Sequence, residues 1–185
     1  MKKRTLFAML FVGAMSFALA ADGETLYTQY CQACHQPNGE GIPGTYPFIS
    51  GPIKNMSTFE EGREFVIATT LFGLQGELMQ RGYTYNSVMP GYGPMMSDEE
   101  VATLLNWIVE QASWKRRNAS ATAPQPFTPE EVARVRALNL TPEQVHELLM
   151  KVEELMHGTN PAPGQGGAGN GGPGNQPGPK GPKSP

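Results

Sequence analysis

The chain has 185 residues, with 14 Lys and Arg against 17 Asp and Glu, only two cysteines, and a formal charge of −3. That balance excludes a basic face for nucleic acid or anionic lipid, and no stretch beyond the first twenty residues is long and apolar enough to span a bilayer. The length accommodates one domain of ordinary size with accessory segments.

Met1 to Ala20 reads as a secretory signal. Lys2, Lys3 and Arg4 form a positive start, Thr5 to Leu19 is almost wholly apolar, and Ala18-Leu19-Ala20 is an A-x-A cleavage site. The apolar run is shorter than the ~20 residues a bilayer requires, and no cysteine follows the cleavage site to carry a lipid. Removing the segment takes away three basic and no acidic residues, so the mature charge is 11 − 17 = −6. The expected product is exported, soluble and periplasmic, with no transmembrane segment in the mature chain.

Residues 21–118 read as the first domain. Gly23 to Tyr30 suggests a short amphipathic helix, and directly after it stands Cys31-Gln32-Ala33-Cys34-His35. Two thiols three positions apart, followed at once by an imidazole, form the pattern of covalent c-type haem attachment. The thiols add across the two haem vinyl groups, and the adjacent His35 can ligate the iron through Nε2. Other uses of the pair fit less well. A redox dithiol opens a helix after a buried strand, whereas this pair follows a polar, helix-like stretch. A zinc site needs four ligands, and no second Cys/His pair lies at a suitable spacing. A structural disulfide at this spacing closes a very small, strained loop.

A loop rich in Gly and Pro, Gln36 to Pro52, follows and must wrap the haem edge. Glu60 to Phe72 reads as a middle helix, with Phe65, Val66, Ile67, Leu71 and Phe72 as its apolar content. Leu78 to Tyr85 reads as a β-hairpin turning at Arg81-Gly82. The last helix of the domain starts at Ser97, an N-cap with Glu100 three positions on, and Val101, Leu104, Leu105, Ile108 and Val109 form its buried stripe.

The second axial ligand is less local. The other histidines, His146 and His157, lie far along the chain, so a methionine is the better candidate; a soft thioether suits Fe(II) and raises the reduction potential. Met56, Met79, Met89, Met95 and Met96 compete. Met89 sits in an irregular stretch that can fold over a haem face, whereas Met95 and Met96 precede the helix cap and are expected to pack as core. Spacing alone leaves the choice open.

Residues 119–127 read as a linker. Thr128-Pro129-Glu130-Glu131 and Thr141-Pro142-Glu143-Gln144 each place Thr at an N-cap, Pro at N1 and Glu or Gln at N3, two helix starts with capping boxes. The second helix carries Val145, Leu148, Leu149, Val152, Leu155 and Met156 on one face, expected to pack on the first domain; residues 119–157 thus form a linker and a C-terminal helical extension. His146 and His157 are eleven residues apart, about 16 Å along a helix, too far to share a metal, and are expected to be solvated. Residues 158–185 hold ten glycines and seven prolines and are expected to be disordered.

The order Cys31-x-x-Cys34-His35, a Gly/Pro loop, Met89-Pro90 and Ser97-Asp98-Glu99-Glu100 resembles the class I cytochrome c family, closest to the soluble single-haem electron-donor cytochromes of thermophilic bacteria. The likeness covers about Ala21 to Leu155. It implies an all-α fold of that class around one covalent haem c, with a small β-hairpin and the C-terminal helical extension. It also implies that Met89 is the sixth iron ligand opposite His35, and that Pro47 sets its carbonyl on the His35 Nδ1–H. Gly23, Tyr27 and Trp107 match the packing of the first helix on the last; Pro47-Phe48-Ile49 departs from the family's frequent Pro-Pro-Leu. The function implied is that of a monomeric one-electron carrier, not an enzyme, passing electrons from a quinol-oxidising complex to a haem–copper cytochrome c oxidase. A fixed haem subunit of a larger oxidoreductase, or a haem enzyme with an open iron site, is the alternative.

Overall fold

The computed structural model describes residues 21–114 and 124–158. The signal segment 1–20, most of the linker and the tail 159–185 lie outside the described residues.

Helix α1 (Gly23–Tyr30) is started by Asp22, whose Oδ1 accepts from the Thr25 N–H at 2.8 Å; those bonds hold the exposed carboxyl below its ordinary pKa. The chain turns through α2 (Gln32–His35), a single helical turn containing the thiols and the imidazole, and then through a loop to α3 (Pro52–Met56). Helix α4 (Glu60–Phe72) opens with two acidic residues at the positive end of its dipole. Short pieces follow: β1 (Gly73–Leu74), β2 (Leu78–Gln80), β3 (Tyr83–Tyr85) and β4 (Met89–Pro90). Helix α5 (Asp98–Trp114) begins at a complete capping box, with Glu100 N–H donating to Ser97 Oγ at 3.2 Å and Ser97 N–H to Glu100 Oε2 at 2.8 Å. Helices α6 (Pro129–Arg136) and α7 (Pro142–Gly158) complete the order.

The hairpin has β2 antiparallel to β3 with Leu78 opposite Tyr85 and Gln80 opposite Tyr83. Its turn takes Arg81 to φ 55° and Gly82 to φ 80°, the two left-handed residues that a tight hairpin requires. A second pairing had no sequence signal. β1 runs antiparallel to β4, with Gly73 opposite Pro90 and Leu74 opposite Met89.

Helices α1 and α5 cross at Gly23, where a Cβ would come within 2.3 Å of the Trp107 Cβ. One turn on, the Tyr27 and Trp107 rings lie 4.9 Å apart. Leu26, Phe65, Ile67, Leu71, Val101, Leu104, Leu105 and Ile108 fill the core beneath this crossing, and Phe127, Val132, Val135, Val145, Leu149 and Val152 join the same cluster. The stripe of α7 therefore packs against the helices of the first domain, with Leu155 left exposed at its edge.

Pro52, expected to end the loop, instead opens helix α3, and two further expectations change. Met96 is buried as expected, but Met95 is 54% exposed, because it ends a 3-10 turn that points it away from the core. The first of the two C-terminal capping boxes is also replaced. Thr128 Oγ1 accepts from Glu131 N–H, yet the Glu131 carboxylate turns both oxygens to Arg63, with Arg63 Nε donating to Oε1 at 2.7 Å. At Thr141 and Gln144 the box is reciprocal.

Candidate haem site

Local backbone geometry places the pentapeptide. Cys31 caps α1 and opens α2, so both thiols and His35 lie within one short turn; Gln36 then takes φ 64° and sends the chain away. The thiols form no disulfide. Cys31 is buried, and burial, with the Cys34 thiol beside it, pushes its pKa up to about 12. A redox-active thiol has a depressed pKa, so Cys31 is poorly set for disulfide exchange.

His35 is buried, and its Nδ1 lies 3.0 Å from the Pro47 carbonyl oxygen. A carbonyl can only accept, so Nδ1 carries the proton and the Nε2 lone pair is free. Burial lowers the pKa of the imidazole, and the Pro47 carbonyl pulls it part of the way back. The ring is thus a neutral, oriented donor for a metal. Gly41 makes this approach possible. It sits at φ 65°, and a Cβ there would stand 2.6 Å from the Pro47 carbonyl oxygen.

The hairpin braces the other side of that loop. The Gln80 side chain accepts from Phe48 N–H at 2.8 Å and donates to the Phe48 carbonyl at 2.9 Å. The Arg81 guanidinium lies 3.7 Å from the centre of the Phe48 ring, and Ser87 Oγ donates to the Thr45 carbonyl at 3.1 Å. Residues 45–48, and with them the Pro47 oxygen, are therefore pinned from outside.

Cys31, His35 and Pro47 line a cavity of about 270 Å³, whose other walls come from α3, α4, the hairpin, α5 and α7. Its lining is almost wholly apolar, with Phe65, Val66, Leu74, Leu104, Leu105, Ile108 and Leu149 among it. Thr69 also lines it, and its Oγ1 is buried without a hydrogen-bond partner. An apolar chamber with the Cys31 thiol and one oriented imidazole at its wall, and the Cys34 thiol in the adjoining cavity, fits a flat porphyrin with an iron at its centre. Among the described residues no cluster of three or more His, Cys, Asp or Glu side chains could hold a metal ion by itself.

Of the rival sulfurs, Met95 and Met96 do not line this cavity, while Met56, Met79 and Met89 do. Met79 is 67% exposed. Met89 is half-buried, packs against the core and also lines the adjoining cavity with Cys31, Cys34 and His35. Its backbone is fixed by β1, where Gly73, at φ 84°, leaves no room for a Cβ beside the Met89 carbonyl.

The other two histidines divide. His146 is half-buried rather than solvated: its Nε2 donates to the Glu77 carbonyl at 2.7 Å, and its ring occupies the space a Cβ of Gly76 would need. The side chain of His157 lies outside the described set. Sequence reasoning had no signal for Gly41, Gln80 or Thr69, whose roles come from contacts remote in the chain. It also passed over Tyr92, whose ring lies 5.4 Å from that of Tyr30 at the cavity wall.

Comparison with known proteins agrees with this geometry. The family described as cytochrome c matches residues 20–112. A cytochrome c-552 of Thermus thermophilus is 43% identical over 143 residues, covering 77% of this chain and 93% of its own. A second cytochrome c-552 of that species is 42% identical over 125 residues, covering 68% of this chain and 92% of its own. Both alignments are longer than the family match, so the likeness extends outside it.

Proposed function

The chain belongs to the cytochrome c family, whose members transfer electrons through covalent haem c and are not enzymes, and from that premise we propose a closed, His/Met-ligated one-electron carrier of a respiratory chain. Cys31 and Cys34 would hold the haem through thioethers, His35 Nε2 and Met89 Sδ would ligate its iron, and Pro47 orients His35. The observation that carries this reading is the strand pairing of β4 with β1, which fixes Met89 on the wall of the cavity that also holds Cys31 and His35.

Bound haem supplies an iron that moves between Fe(II) and Fe(III), taking up and releasing one electron. The residues decide how easily. The neutral, hydrogen-bonded His35 donates firmly to either state, while a thioether from Met89 favours Fe(II) and raises the potential. Apolar walls exclude water and limit the solvent reorganisation that each electron transfer requires. Met79 and Val88 are 67% and 62% exposed at the rims of the two adjoining cavities, an apolar surface on which a redox partner can dock without a lysine ring. The mature charge of −6 is consistent with such a contact.

The proposed donor is a quinol-oxidising complex and the acceptor a haem–copper cytochrome c oxidase, with the protein working as a periplasmic monomer after loss of residues 1–20. Among the described residues no helix is long and apolar enough to cross a membrane. Carbon monoxide tests the closed iron. The reduced protein should keep its Soret spectrum under the gas at neutral pH. Rapid formation of a carbonyl spectrum would mean an open sixth position and defeat the carrier reading.

A further inference from the structure

We propose that Arg136, on the C-terminal extension, is a positioning residue for the sixth ligand and holds the Met89 segment closed. The inference rests on the reading of Met89 as that ligand. All three nitrogens of the Arg136 guanidinium are engaged by one short segment. Nε donates to Asp98 Oδ1 at 2.7 Å, Nη1 to the Gly93 carbonyl at 2.7 Å, and Nη2 to the Met96 carbonyl at 2.9 Å. Gly93 stands four residues after Met89.

The chain from Met89 to Asp98 is otherwise weakly built. It holds a two-residue strand and a 3-10 turn, with Tyr92 N–H donating to the Thr70 carbonyl at 2.9 Å. Such a short ladder has little stability of its own. Arg136 supplies charge-assisted donors to two of its carbonyls and fixes the first residue of α5 as well. Exposed ion pairs contribute little to stability, and this one is about a third exposed. Its weight lies in the two carbonyl bonds, which a lysine cannot reproduce in the same geometry.

Arg63 provides the comparison. It also ties the extension to the first domain, donating to Glu131 and to the Gln125 and Pro126 carbonyls, with its guanidinium 4.2 Å from the centre of the Phe127 ring. Its partners are remote from the Met89 segment, so it should support the fold without governing the ligand. Two arginines that clip the same extension would then have separable effects.

Imidazole reads the difference, because it binds Fe(III) only when the methionine has swung away. Its apparent Kd varies inversely with the open fraction. The holoprotein would be titrated at 25 °C, with circular dichroism confirming an intact fold. Arg136→Gln should tighten imidazole binding about tenfold, Arg136→Lys by less, and Arg63→Gln by under twofold. Equal tightening in Arg136→Gln and Arg63→Gln, or none in Arg136→Gln while Met89→Ala binds tightly, would overturn the positioning role alone. Unchanged imidazole affinity in Met89→Ala would overturn the ligand reading and this inference with it.

Discussion

Gly23 sets the distance between α1 and α5. A methyl group there would meet the Trp107 Cβ at 2.3 Å and the Thr103 carbonyl at 2.9 Å, both on the backbone or its first carbon, so neither can swing aside. Forced separation would also part the Tyr27 and Trp107 rings and the core beneath them. We expect Gly23→Ala to destabilise the holoprotein by at least about 2 kcal/mol, a typical cost of overpacking. Guanidinium denaturation followed by circular dichroism checks this, and an unchanged midpoint would mean that the helices tolerate a wider crossing. At this scale legibility was uneven. Cys31, Cys34 and His35 announce themselves because their spacing is local and chemically specific. Met89 could not be singled out from five sulfurs by position, since its placement depends on pairing with Leu74, fifteen residues earlier in the chain. Gly41 and Gln80 were invisible for the same reason: each acts on a backbone group brought near by the fold.

The longer helices were legible because each carries both a start signal and an apolar period. The Ser97 box and the stripe of α5 are the plainest case. Helices α2 and α3 were missed: four or five residues offer neither a period nor a cap. The Glu131 box failed for a different reason. Local pattern offered a bond to Thr128, but a guanidinium 68 positions earlier in sequence outcompeted a neutral N–H for the carboxylate. The extension as a whole is part of the core rather than an appendage, since Phe127, Val132, Val135, Val145, Leu149 and Val152 are all buried. Six buried apolar side chains at roughly 1.5–3 kcal/mol each approach the entire stability of an ordinary domain. A chain ending at residue 123 should therefore lose at least about 15 °C in thermal midpoint, measured on the haem-loaded protein. A truncation that melts with the full chain would contradict the packing of α7 on α4.

At the level of the whole molecule, the haem is core as well as cofactor. Its porphyrin would fill an apolar cavity of about 270 Å³ lined by α4, α5 and α7, burying side chains that belong to the same cluster as the rest of the core. Fold and electron carrier are thus assembled together, and the ligand set decides which chemistry results. With both axial positions filled from the chain, only electrons pass; with one open, oxygen or peroxide could bind. In the proposed carrier, Met89 closes the iron. The most direct measurement of that closure is the absorption spectrum of the oxidised protein and of Met89→Ala, followed in the weak red charge-transfer band of thioether-ligated Fe(III). The native protein should show the band and the variant should lose it, with the haem still attached through Cys31 and Cys34. A band that survives the substitution would assign the ligand to another methionine, and a native protein without it would leave the sixth position open.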